Sequence, residues 1–186
     1  MFTHFYSDPH YGHRNISKYA CRPFVSVHQM NEELITRYND TVGENDFCLW
    51  FGDAYFMPKE AAKTMLGRLN GRKAIIKGNH DKHSGRWFLG IGFSYVFEGP
   101  IHLTIAGRAA RASHYPYITT IKDMPHHKYR DRYPMPIKGE ILLHGHIHKS
   151  YKMYENQIHV GVDAWDYRPV SVKQIEDLIN QNLVEV

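Results

Sequence analysis

The sequence predicts a mixed α/β sandwich. Strand and helix patterns alternate over roughly the first ninety residues, short strands follow, and the chain closes on an amphipathic helix. Phe2 to Tyr6 is aromatic-rich and stops at the turn-forming Ser7-Asp8-Pro9, which reads as a first strand. Val27, Met30, Leu34, Ile35, Tyr38 and Val42 recur at helical spacing and predict a helix over Val27–Val42. Phe47–Phe51 reads as a strand ending at Gly52-Asp53. Pro58 then fits the first turn of a helix carrying Ala61, Ala62, Met65, Leu66 and Leu69. Ala74-Ile75-Ile76 is a buried strand ending at Gly78-Asn79. Short strands are expected at Ser94–Phe97, Ile101–Ile105, Arg108–Ser113, Glu140–Leu143, Ser150–Tyr154 and Gln157–Val160, with turns at Gly107 and Glu155-Asn156. Ser171 with Gln174 forms a capping box for a last helix whose buried stripe is Val172, Ile175, Leu178 and Ile179.

A chain of 186 residues suits one domain over 1–186. Its 42% hydrophobic and 23% charged content is that of an ordinary globular protein and argues against wholesale disorder. The opening Met1-Phe2-Thr3-His4-Phe5-Tyr6 lacks the basic start and apolar run of a signal peptide, and no run is long enough for a membrane span. Cys21 and Cys48 have no CxxC spacing and read as small buried hydrophobes of a reduced, cytoplasmic protein. A net charge of +4 suits an anionic partner and is too small and dispersed for duplex nucleic acid. The unusual count is histidine, 14 in all, and histidine is the commonest metal ligand.

Tyr115 to Gly139 fits no period. It holds four prolines in 25 residues and the run His126-His127-Lys128-Tyr129-Arg130-Asp131-Arg132-Tyr133. Such a loop in a compact domain is functional or disordered; its aromatic and basic residues suit stacking a base and steering a phosphate, so 115–139 reads as a substrate-side loop.

Five clusters carry the chemistry, each where a strand gives way to a loop: Asp8-Pro9-His10, Gly52-Asp53, Gly78-Asn79-His80-Asp81, Ser113-His114 and Gly145-His146-Ile147-His148. In α/β sheets the carboxyl ends of strands gather on one edge, where ligands bind. Two aspartates, an asparagine and several histidines form a mixed N/O donor set that favours Mn, Fe, Ni, Co or Zn over calcium. Each cluster alone is weak, and the ordered set is specific.

In that order the clusters resemble the signature of the calcineurin-like metallophosphoesterase superfamily: D-x-H, GD, GNH-D, an isolated H, and G-H-x-H. Ser7–Ile16, Arg22-Pro23-Phe24, Met30-Asn31-Glu32 and Val160–Ser171 resemble a compact bacterial and phage subgroup of phosphohydrolases. The resemblance implies a four-layer α/β/β/α sandwich of two mixed sheets flanked by helices. It implies two divalent metal ions, Mn foremost: one held by Asp8, His10, Asp53 and His148, the other by Asp53, Asn79, His114 and His146, with Asp53 bridging. Two cations about 3.5–4 Å apart share a water, lower its pKa to give hydroxide for in-line attack, and clamp the phosphoryl oxygens. His80 resembles the catalytic histidine, as proton donor or charge stabiliser. The implied activity is hydrolysis of a phosphomonoester or phosphodiester of a nucleotide-like small molecule. Competing readings are an inactive scaffold that binds protein partners, or a metal-dependent nuclease; a homo-oligomer is compatible with all three. Phe56 stands where the protein-phosphatase branch has a second aspartate, and His159 where the compact subgroup has asparagine.

His13, Asn15 and Arg22 follow the first cluster closely enough to reach a bound phosphate, although Arg22 equally suits a loop-anchoring salt bridge. Tyr115 follows His114 directly and belongs with the substrate-binding candidates. Asp81 either orients His80 or caps the following turn, and His144 reads as a support for the metal ligands or as core packing. Trp165 and Asp166 suit a structural turn before the last helix or the wall of a pocket.

Overall fold

The computed structural model describes residues 1–121 and 129–182. Its first sheet holds β1 (His4–Tyr6), β2 (Phe47–Trp50), β3 (Arg72–Ile76) and β4 (Tyr95–Phe97), all mutually parallel. The second sheet has β5 (Ile101–Ile105), β6 (Arg108–Ser113), β7 (Ile141–His144), β8 (Met153–Tyr154) and β9 (Gln157–His159), in the order β5-β6-β7-β9-β8. β6, β7 and β9 run parallel, and the edge strands β5 and β8 are antiparallel to their neighbours. A final short strand, β10 (Val170–Ser171), pairs antiparallel with β1, so both sheets are mixed.

Side chains alternate across the first sheet with the period of two that strands impose. Tyr6, Cys48, Trp50 and Ile75 point into a cluster with four helices: α1 (Ile16–Tyr19), α2 (Val27–Asn39), α3 (Lys59–Leu66) and α4 (Gly85–Ile91). Phe5, Leu49, Ala74 and Ile76 point the other way and meet Ala110, Ala112, Ile141, Leu143 and Ile158 of the second sheet. The two sheets are therefore stacked face to face, and each fully buried large side chain between them contributes roughly 1.5–3 kcal/mol. The last helix, α5 (Val172–Asn182), lays Ile175 and Ile179 into that same interior cluster beside β5.

The expected helical layer over the outer face of the second sheet is not found among the described residues. Arg111 and Gln157 of that face instead meet the chain between β6 and β7: Arg111 pairs with Glu140, and the Tyr117 backbone N–H donates to Gln157 Oε1 at 2.8 Å. No described helix is long and apolar enough to cross a membrane.

Local signals explain several boundaries. Ser26 Oγ accepts from Gln29 N at 3.1 Å and starts α2. Ser171 and Gln174 bond reciprocally, Gln174 N to Ser171 Oγ at 3.2 Å and Ser171 N to Gln174 Oε1 at 2.9 Å, which is the expected capping box. Pro58 sits one residue before α3 rather than inside it. The strand expected at Ser150–Tyr154 shrinks to Met153–Tyr154. Cys48 is buried as expected, whereas Cys21 is exposed on a left-handed turn.

Candidate metal centre

β1, β2, β3, β6 and β7 all deliver their carboxyl ends to one edge of the stacked sheets. The five sequence clusters begin within three residues of those ends, and the structure brings them together there. Two groups of donors result: Asp8, His10 and His148, and Asp53, His114 and His146, with the ligand atoms within each group no more than 4.8 Å apart. Asp53 stands between them, its Oδ2 lying 3.7 Å from His10 Nε2 and 3.6 Å from His114 Nε2.

The backbone is strained at this edge. Asp8, His10, Asp53, His146 and His148 have φ of 57°, 54°, 52°, 75° and 49°. None is glycine, and left-handed backbone at such residues costs about 1–3 kcal/mol each and gathers at functional sites. Two glycines leave room for carboxylates instead. A Cβ on Gly145 would collide with Ser7 Oγ and Asp8 Oδ2, and one on Gly78 with Asp53 Oδ1. That is the physical content of a glycine at each of those turns.

Each carboxylate has one oxygen tied and one aimed inward. Asp8 Oδ2 accepts from Ser7 Oγ at 2.6 Å and from His146 N at 2.8 Å, while the buried Oδ1 has no hydrogen-bond partner. Asp53 Oδ1 accepts from His80 N at 2.9 Å, leaving Oδ2 inward. Asp81 takes neither expected role, orienting His80 or capping the following turn: its carboxylate accepts from Asp53 N at 2.6 Å, Gly78 N at 2.9 Å and Ala54 N at 3.2 Å. It therefore binds two loops together under the site and does not orient His80.

The histidines are held in the same way. His114 Nδ1 donates to Phe51 O at 2.6 Å, which leaves its Nε2 a lone pair in the neutral ring. His146 Nε2 shares a hydrogen bond with Tyr133 Oη at 2.8 Å and turns Nδ1 inward; His148 Nδ1 donates to Asp163 Oδ2 at 2.8 Å and leaves Nε2 inward. As a result, His114 Nε2 faces another acceptor, Asn79 Oδ1 at 2.9 Å, with His146 Nδ1 at 3.2 Å. Acceptors that close repel unless a cation lies among them, and two ligands about 2.1 Å from one ion at right angles are about 3 Å apart. In the other group His10 Nε2, like Asp8 Oδ1, is buried without a hydrogen-bond partner. Unpartnered buried acceptors are costly, and cations in both groups would satisfy them. The donors present fit a pair of divalent metal ions.

Electrostatics agree. Against the upward push of burial, the facing His114, His148 and His10 and the Ser7 hydroxyl hold the Asp8 carboxyl well below the usual range. Burial, with Asp8 and Asp81 nearby, pushes Asp53 up to about 7. Two buried carboxylates this close need positive charge between them to be ionised together.

His80 stands at the rim, its side chain 43% exposed and its Nε2 4.0 Å from Asp53 Oδ2. Partial burial, with His114 next in effect, lowers its pKa. His13 packs its ring at 4.3 Å from Phe56 and 5.6 Å from His10, while Asn15 is exposed at the start of α1 with its N–H on His13 Nδ1. Tyr115 lies beside the second donor group, with ring centroids 4.8 Å from His114 and 5.0 Å from His146.

Arg22 is not available to a phosphate. Its side chain is fully buried, and its nitrogens donate to Asp163 at 2.8 and 3.0 Å, to Asp8 O at 2.7 Å and to Pro9 O at 2.9 Å. Loop anchoring is its role. His144 is core packing: it is buried, stacked on His159 at 5.4 Å, and burial followed by His159 lowers its pKa to about 3. Trp165 is buried, with Nε1 donating to His159 O at 2.7 Å, as a structural role requires. His126, His127 and Lys128 lie outside the described residues.

Three supporting residues escape a reading by motif. Ser7 pins Asp8, Tyr133 holds His146 from the 115–139 loop, and Asp163 joins His148 to Arg22. Asp163 lies within the segment Val160–Ser171 that the resemblance singles out, yet nothing in its spacing marks it as a partner of His148. Carboxylates behind a ligating histidine raise its basicity and fix its ring, and their loss typically costs 10–100-fold in metal affinity. Asp163→Asn is therefore expected to weaken one metal site by about that factor and spare the other, read by stepwise metal titration. Equal weakening of both sites, or of neither, would be at odds with this geometry.

No family model matches this chain. The uncharacterized protein MJ1445 of Methanocaldococcus jannaschii is 30% identical over 187 residues, which span 96% of this chain and 91% of that protein. The Gene 66 protein of Mycobacterium phage L5 is 30% identical over 206 residues, 96% of this chain and 94% of its own, and that of phage D29 is 28% identical over 200 residues. The crystal structure of AQ665 from Aquifex aeolicus, a protein of unknown function, superimposes with a TM-score of 0.68 at 25% identity, covering 95% of this chain and 98% of that one. The shared length and identity show that this chain belongs to one family with protein MJ1445 and the phage L5 Gene 66 protein.

Proposed function

We propose that this chain is a two-metal phosphoesterase of the calcineurin-like metallophosphoesterase type, hydrolysing a phosphomonoester or phosphodiester. The observation that carries the reading is the pair of donor groups with Asp53 Oδ2 between His10 and His114, and His80 at their rim. The ordered motifs of the sequence and the stacked mixed sheets support it as well. A bound pair of divalent cations, Mn foremost, supplies Lewis-acid polarisation of phosphoryl oxygens and lowers the pKa of a water.

The chain's residues do the rest. Asp8, His10 and His148 with Asp53 hold one cation, and Asn79, His114 and His146 with Asp53 hold the other. Ser7, Phe51 O, Tyr133 and Asp163 fix the orientation of those ligands. His80 Nε2, projecting at the rim, gives a proton to the departing ester oxygen or offsets charge on the phosphoryl group. Phe56 packs 5.0 Å from the His80 ring, so no carboxylate at that position pairs with the histidine as in the protein-phosphatase branch.

The test is turnover of p-nitrophenyl phosphate, bis-p-nitrophenyl phosphate and a nucleotide panel with Mn²⁺, after chelation and after metal is restored. Activity that vanishes on chelation and returns with metal is expected. Absence of metal-dependent turnover across the panel would leave a binding scaffold as the better account.

A further inference from the structure

A cavity of about 820 Å³ opens beside the second donor group. Its lining includes Asn79 and His114 from the metal-centre edge, Tyr115, and Tyr129 with Asp131–Pro134 from the chain between β6 and β7. Its volume exceeds what a phosphate alone needs and falls in the range of sites for small organic ligands. Among its cations, Lys77 pairs with Glu98 at 2.9 Å and Arg111 pairs with Glu140. Lys82 and Arg132 have no carboxylate partner within salt-bridge reach among the described residues. The Arg132 guanidinium lies 5.5 Å from the centroid of the Tyr129 ring, and Tyr129 lies 6.3 Å from Tyr115. Flat aromatic surface, a flat cation and a neighbouring ammonium, all within reach of a phosphate at Asn79 and His114, match the parts of a nucleoside phosphate.

We infer that this cavity binds the nucleoside portion of a nucleoside phosphate, its base lying against Tyr129 and the Arg132 guanidinium while its phosphate meets the metal centre. The inference rests on the phosphoesterase reading and adds its substrate class. Both recognising residues are solvent-accessible, so each is open to substitution without loss of the core. Tyr133, buried in the same lining, ties it to His146.

The test compares calorimetric binding of adenosine 5′-monophosphate and ribose 5-phosphate to the Mn²⁺-loaded His80→Ala protein, in which turnover is suppressed. Ribose 5-phosphate keeps the sugar and phosphate and has an anomeric hydroxyl in place of the base, and base stacking corresponds to roughly ten-fold in affinity. Adenosine 5′-monophosphate is expected to bind about ten-fold more tightly, and the preference is expected to fall to about two-fold or less when Tyr129→Ala or Arg132→Ala is added. Equal binding of the two probes, or a preference that survives both substitutions, overturns the inference. The phosphoesterase reading fails by a different result, wild-type protein that turns over no phosphoester with metal, so the two failures are distinguishable.

Discussion

Asp53→Asn is expected to empty both metal sites together. The carboxylate is 2% exposed, and one oxygen lies within 3.7 Å of a histidine nitrogen from each donor group. Its other oxygen is occupied by His80 N, so no second carboxylate oxygen is free to take over the inward position. Asparagine keeps the shape, removes the charge shared by both cations and offers at best one neutral oxygen. Buried as the site is, that charge is not replaced by solvent. Elemental analysis after gel filtration should show near-complete loss of both metals, and metal-dependent turnover should disappear. Retention of one metal at full occupancy would assign Asp53 to a single site.

His80→Ala should separate metal binding from chemistry. The histidine contributes only its backbone N–H to Asp53 Oδ1, which alanine preserves, and its ring projects at the rim of the site. Metal content should therefore stay near that of the wild type. Removal of a positioned proton donor typically costs 10²–10⁴-fold, so turnover should fall by about that range. Loss of metal in parallel with turnover would make His80 a ligand. Unchanged turnover would remove it from the chemistry altogether.

The difference in legibility between site and scaffold follows from range. Asp8, Asp53, Asn79, His114 and His146 are readable because each follows a strand whose end must reach the same edge, and because a glycine directly precedes Asp53, Asn79 and His146. The amphipathic α2 and α5 declare themselves by period and cap. By contrast, α1 has four residues and α4 has seven with two glycines, too little for a periodic pattern to emerge. β10 is two residues long and overlaps the cap of α5, so its pairing with β1 is visible only in three dimensions. Arg22 and Asp163 are 141 residues apart, and nothing local distinguishes a buried anchor from a phosphate-binding arginine. The Tyr133–His146 contact is hidden for the same reason, inside a loop whose prolines and mixed charges carry no period.

Two cations on either side of one aspartate are what the donor geometry calls for. The most direct measurement is a crystal structure of the Mn²⁺-loaded protein with anomalous scattering collected at the metal edge. Two peaks about 3.5–4 Å apart are expected to flank the Asp53 carboxylate, one among Asp8, His10 and His148 and one among Asn79, His114 and His146. A single peak, or two peaks that do not share Asp53, would contradict it.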